Sequence, residues 1–108
     1  MAPGRLGSFE EAVLLAVARL VDDAYGVTVR RDIAERLGRD ISFGAVYATL
    51  ERLCAKGYLS STMGIATPER GGKAKRYYKI EARGEMALKE SRQMQSQIWD
   101  GLPDGVLA

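Results

Sequence analysis

One change of period governs the folding options of this chain. Up to Gly57 the apolar residues recur at the three- and four-residue spacing of helices. Between residues 58 and 80 that spacing stops. Two extended runs, residues 58–65 and 75–80, flank a connection holding Pro68, Gly71 and Gly72, which is the pattern of an antiparallel hairpin. From Ala82 the helical spacing returns and lasts to about Trp99. The predicted order is helix, helix, helix, hairpin, helix, a mainly α fold with one β-hairpin. At 108 residues there is room for one core and one site, with little chain left to wall off a deep cleft.

The helices carry local signals. The first is expected to start at Gly7-Ser8, with Ser8 and Glu11 at capping-box spacing. Phe9, Val13, Ala16, Val17, Leu20 and Val21 form its stripe, and Leu14 and Leu15 lie off it, so burial on two sides is expected. The second is predicted from Thr28, as N-cap, to Leu37, with Val29, Ile33 and Leu37 inward and Gly38 as its exit. The third runs from the N-cap Ser42 to Lys56, stopped by Gly57. Its inward row is Val46, Leu50 and Leu53, joined by Phe43 and Cys54. At 100° per residue its outer side collects Gly44, Ala45, Ala48 and Arg52, with Tyr47 and Thr49 on the flanks. In the second extended run Tyr77 and Tyr78 point to opposite faces, and alternation alone leaves open which is buried.

Composition removes several function classes. There is no His, the commonest general base and metal ligand, and the lone Cys54 permits neither a disulfide framework nor a cysteine zinc site. Cys54 reads as a small core residue. Gly71-Gly72-Lys73 is not a phosphate loop: Thr67 and Ala74 stand where that motif needs Gly and Ser or Thr. No enzyme activity, metal or cofactor is expected. The longest apolar run, residues 12–18, is too short to span a bilayer, and the N-terminus lacks a signal peptide's apolar core, so the expected location is cytoplasmic.

Charge points to a partner. The net value of +2 hides an asymmetry: residues 1–54 carry 7 basic and 8 acidic groups, residues 55–108 carry 9 and 6. Arg70, Lys73, Lys75, Arg76 and Lys79 fall within eleven residues that hold no acid. A short link between the second and third helices, followed by a basic hairpin, is the order of a winged helix–turn–helix. In that reading the small outer face of the third helix, Gly44, Ala45 and Ala48, lets the backbone approach base edges. Ser42 and Tyr47 are placed for phosphates, Thr49 and Arg52 complete the helix's contacts, and Arg70, Lys73, Lys75 and Arg76 follow the backbone from the wing.

These residues resemble a family. Gly44-Ala45-Val46-Tyr47-Ala48-Thr49-Leu50-Glu51-Arg52-Leu53, Lys56-Gly57-Tyr58-Leu59, the run from Arg70-Gly71-Gly72 through Tyr77-Tyr78, and Gly84 are similar to the PadR family of bacterial transcriptional regulators. The resemblance covers about residues 8 to 90. It implies a repressor that binds a palindromic DNA operator as a homodimer, dimerising through its C-terminal helix, often with the first helix. Gly44 and Tyr47 match the recognition-helix motif; Arg70, Gly71, Gly72, Tyr77 and Tyr78 match the wing. Glu81 departs from the Thr that usually caps the last helix, which leaves the start of that helix open by a residue or two. The expected organisation is a DNA-binding domain over residues 1–80, a dimerisation helix over 81–102 and a frayed tail over 103–108, as in the short branch of the family.

The last helix carries Leu88, Met94, Ile98 and Trp99 as an apolar band wider than a surface helix needs. A second copy is its expected cover. The resulting seam has a stacking face in Trp99 and adaptable volume in Met94, which suits a small aromatic effector. The competing reading is a winged-helix protein-interaction module that does not bind DNA.

Overall fold

A computed structural model describes residues 6–64 and 74–108. Four helices, α1 (Ser8–Leu20), α2 (Gly26–Leu37), α3 (Phe43–Ala55) and α4 (Ala82–Trp99), surround a two-stranded antiparallel sheet of β1 (Leu59–Met63) and β2 (Arg76–Ile80). The expected fold class is observed, with each strand somewhat shorter than its extended run; Ile65, Arg70, Gly71, Gly72 and Lys73 lie outside the described residues.

α1 does not use the expected capping pair. Its N-cap is Gly7, whose N–H donates to Glu10 Oε1 at 2.9 Å. The box therefore sits one residue earlier than Ser8 and Glu11. The reason is tertiary. In this register the buried Glu10 faces α3 and accepts from Lys56 Nζ (2.9 Å) and Arg52 Nε (3.3 Å). Glu11 turns to the other side and accepts from Ser91 Oγ (3.2 Å) and Gln95 Nε2 (2.9 Å) of α4. Burial alone raises the pKa of Glu10, but the Gly7 N–H, Lys56 and Arg52 outweigh it and hold the carboxyl below its ordinary range.

A titration follows from that shift. Because the folded-state pKa is depressed, the carboxylate's contribution is complete above the ordinary Glu range and is lost as pH falls through the lowered value. Both cations are partly exposed, so solvent screening trims the gain. Glu10→Gln is expected to be about 1–2 kcal/mol less stable than wild type at neutral pH. The gap should narrow as pH falls below the ordinary Glu range. Urea unfolding at several pH values reads this directly, and a gap independent of pH would assign Glu10 a packing role only.

α2 starts at Gly26, two residues before the expected cap at Thr28. Tyr25 is the N-cap, and the Thr28 hydroxyl accepts its N–H at 3.0 Å while donating to Asp23 O at 2.5 Å. Thr28 closes the first turn from inside it. Gly26 can start the helix because it has no side chain: a Cβ there would lie 2.4 Å from the Tyr47 ring. Val29 and Ile33 are buried as expected, whereas Leu37 falls past the edge of the core and is exposed. Gly38 exits through φ 65°.

α3 follows its local signals. Ser42 Oγ accepts the Ala45 N–H at 3.2 Å, and Gly57 leaves with φ 78°. Val46, Leu50 and Leu53 are fully buried against Val13, Leu14, Val17, Val29 and Ile33. Phe43 departs from expectation: it is 44 % exposed, outside the core. Cys54 is half-buried, and burial together with the charge of Glu51 raises its thiol pKa, which keeps it protonated.

The strands pair from Leu59↔Ile80 to Met63↔Arg76. Tyr78 is the buried tyrosine, at 4 % exposure, and its N–H donates to Ala24 O at 2.8 Å. Tyr77 packs edge-on to Tyr25, ring centroids 5.4 Å apart. β2 is thus pinned between β1 and the residues leading into α2. α4 begins at Ala82 as its spacing predicts, although the N-cap Glu81 makes no side-chain cap; its carboxylate accepts from Ser60 Oγ at 2.6 Å instead. The crossing is close at Gly84, where a Cβ would lie 2.4 Å from Tyr58 O. In residues 103–108, Val106 N–H donates to Pro103 O and Ala108 N–H to Gly105 O.

Candidate nucleic-acid interface

The outer side of α3 is a shallow, small-residue surface. Gly44, Ala45 and Ala48 are exposed on it, opposite the row that fills the core. Ser42 stands at its leading end with its oxygen occupied by the Ala45 N–H, leaving its hydroxyl proton free to donate. Tyr47 flanks the surface, half-exposed, with ring and hydroxyl laid against Gly26 at the start of α2.

One expected contact is buried away from that surface and another is engaged in an ion pair. Thr49 is 2 % exposed and accepts from Arg52 Nη2 at 3.1 Å, so it cannot reach a base. Arg52 is partly exposed, but its guanidinium is drawn to Thr49 and Glu10, because a buried carboxylate must find cations. Arg52 thus ties α3 to Glu10 of α1 while its side chain stays largely exposed, and Thr49 is packed away.

The sequence reading missed an aromatic cluster at the head of α3. The Arg30 guanidinium lies 4.4 Å from the Phe43 ring centroid, and the Phe43 and Tyr47 rings are stacked with centroids 6.3 Å apart and planes 20° from parallel. Arg30 is itself tethered, Nε to Ile41 O at 2.6 Å and Nη2 to Asp40 at 3.1 Å. A signal existed: at 100° per residue Phe43 projects beside Tyr47, at the margin of the Val46–Leu50–Leu53 row.

On the hairpin, Lys75 Nζ sits 4.0 Å from the Tyr25 ring centroid, and Arg76 Nη1 donates to Ser61 Oγ at 3.0 Å. Both hold positive charge at the base of the connection. Arg70 and Lys73 lie outside the described residues.

The proposed seam residues are spread along α4. Leu88 and Met94 are half-buried, while Ile98 and Trp99 are 66 % and 60 % exposed. A groove of about 340 Å³ runs between α1 and α4, lined by Leu15, Leu88, Lys89, Arg92, Glu11 and Gln95. Among the described residues no cluster of His, Cys, Asp or Glu is placed to hold a metal ion, and no helix is long and apolar enough to cross a membrane.

Residues 14–90 match the transcriptional regulator PadR-like family. Solved structures agree in fold. A PadR family transcription regulator from hypervirulent Clostridium difficile superposes with a TM-score of 0.70 at 20% identity, covering 85% of this chain and 91% of that one. A PadR-like transcriptional regulator from Bacillus cereus gives 0.68 at 20% identity, over 83% and 82%. A padr family transcriptional regulator from Eggerthella lenta gives 0.67 at 27% identity, over 82% and 75%. No curated protein matches the chain.

Proposed function

The chain belongs to the PadR-like family of transcriptional regulators and is a DNA-binding regulator; from this premise we propose that it is a repressor that binds a palindromic operator as a homodimer and is released by a small planar aromatic ligand. α3 enters the major groove through Gly44, Ala45 and Ala48, with Ser42 and Tyr47 on the flanking phosphates. Lys75 and Arg76, with Arg70 and Lys73, follow the backbone from the wing. The observation that carries the reading is the exposed small-residue side of α3 beside the cations at the base of the hairpin.

The dimer rests on a different observation. Ile98 and Trp99 stand exposed at the far end of an 18-residue helix, and a second copy is the cover that also brings two reading helices together. The ligand would lie in the same seam, between Trp99 and Met94.

The test uses duplexes selected from a random pool, with affinity measured over a range of salt. Specific binding that weakens steeply with salt supports the reading, and the absence of duplex binding would instead favour a protein-interaction module. In Lys75→Ala/Arg76→Ala, each lost phosphate contact should lower the log–log salt slope by about 0.9, for every sequence alike. An unchanged slope would move the hairpin away from DNA.

A further inference from the structure

Phe43 is the first residue of α3 and its only large apolar side chain at the leading end, yet it stands outside the core at 44 % exposure. It is also held in place. The Arg30 guanidinium covers it at 4.4 Å, Tyr47 stacks beside it, and Arg30 is fixed in turn by Ile41 O and Asp40. A ring held this way has given up its rotamer freedom before any partner arrives, so binding through it costs little further ordering.

The neighbours decide what such a ring can recognise. Gly44, Ala45 and Ala48 offer nothing longer than a methyl group, and Arg30, the long donor nearest this stretch, lies over the Phe43 ring and is tied to Ile41 O and Asp40. The first two turns of α3, residues 43–49, themselves carry no Arg, Lys, Asn or Gln to make the paired hydrogen bonds that read guanine or adenine. Apolar contact remains, and the apolar group on a base edge in the major groove is the C5-methyl of thymine.

We propose that Phe43 is a specificity-determining residue that reads thymine by packing its ring on the C5-methyl, with Arg30 and Tyr47 as positioning residues. The proposal rests on the reading that α3 enters the major groove.

The experiment changes the DNA and leaves the protein intact. Duplexes selected from a random pool by the full chain are resynthesised with each thymine replaced singly by deoxyuridine, which removes the methyl alone. At one position in each half-site this should weaken wild-type binding about fourfold, the worth of one buried methyl. Phe43→Ala should bind the thymine and deoxyuridine forms of that position equally. Wild-type binding indifferent to every replacement would overturn the assignment, and so would methyl sensitivity that persists undiminished in Phe43→Ala. Failure of the underlying reading looks different: either no duplex is enriched, or Ala48→Glu binds as wild type does, and either result removes α3 from the groove and the thymine contact with it.

Discussion

Ala48→Glu is expected to lose operator binding by at least about a hundredfold while the protein folds and melts as wild type. Ala48 is exposed, one turn beyond Gly44, and faces away from Val46, Leu50 and Leu53. Glu is a good helix former, so the fold loses nothing by it. In the groove it adds length and a negative charge between two phosphate backbones, where like-charge apposition costs several kcal/mol. Glu51 sharpens the expectation. It is exposed three residues further on and near the same side of the helix, so a carboxylate already stands there. On the proposed reading, base contact is expected only over the first two turns of α3, with Ala48 as its last position. Fluorescence anisotropy with a selected duplex measures the loss, and thermal melting checks the fold. Wild-type affinity in this variant would take α3 out of the reader's role.

How much could be foreseen depended on whether a residue answers to its neighbours in sequence or to distant ones. Ser42 and Gly57 bound α3 through bonds and angles that lie within three residues, and both were legible. So were the hairpin, from its change of period, and the small outer side of α3, from angular arithmetic. Glu10 was not. Its register is decided by Lys56 and Arg52, more than forty residues away, and the same pull engages the Arg52 guanidinium. α2 starts two residues before Thr28, at Gly26, where the Tyr47 ring fills the space a Cβ would need, a contact from another helix. Between Tyr77 and Tyr78, alternation offered no choice, and the Ala24 carbonyl makes it. Phe43 was misplaced because hydrophobicity was weighed above angle; its ring finds a guanidinium and a tyrosine instead of the core.

The second large effect is expected at the far end of α4. Gly84 is the one residue of this helix that is fully packed away, and the bonds from Ser91 and Gln95 to Glu11 fasten it to α1. Beyond Gln95 the helix runs on past that attachment, and Ile98, Trp99 and then Leu102 stand exposed. A lone helical end gains little from its own hydrogen bonds in water, and its apolar side chains add a hydration cost. Covering that end with the same helix of a second copy removes the cost. In the proposed dimer two α3 helices would also meet one duplex, about 34 Å apart to reach successive turns of the major groove. Ile98→Asp/Trp99→Ala should therefore shift sedimentation from dimer to monomer at micromolar concentration. The winged part should melt nearly as before, because neither residue touches its core. Affinity for a full palindrome should fall by at least a hundredfold, toward that of a half-site, since each monomer must then bind without the second contact already in place. A variant that remains dimeric and binds the palindrome as wild type does would place the seam elsewhere, and the groove between α1 and α4 would be the next surface to disrupt.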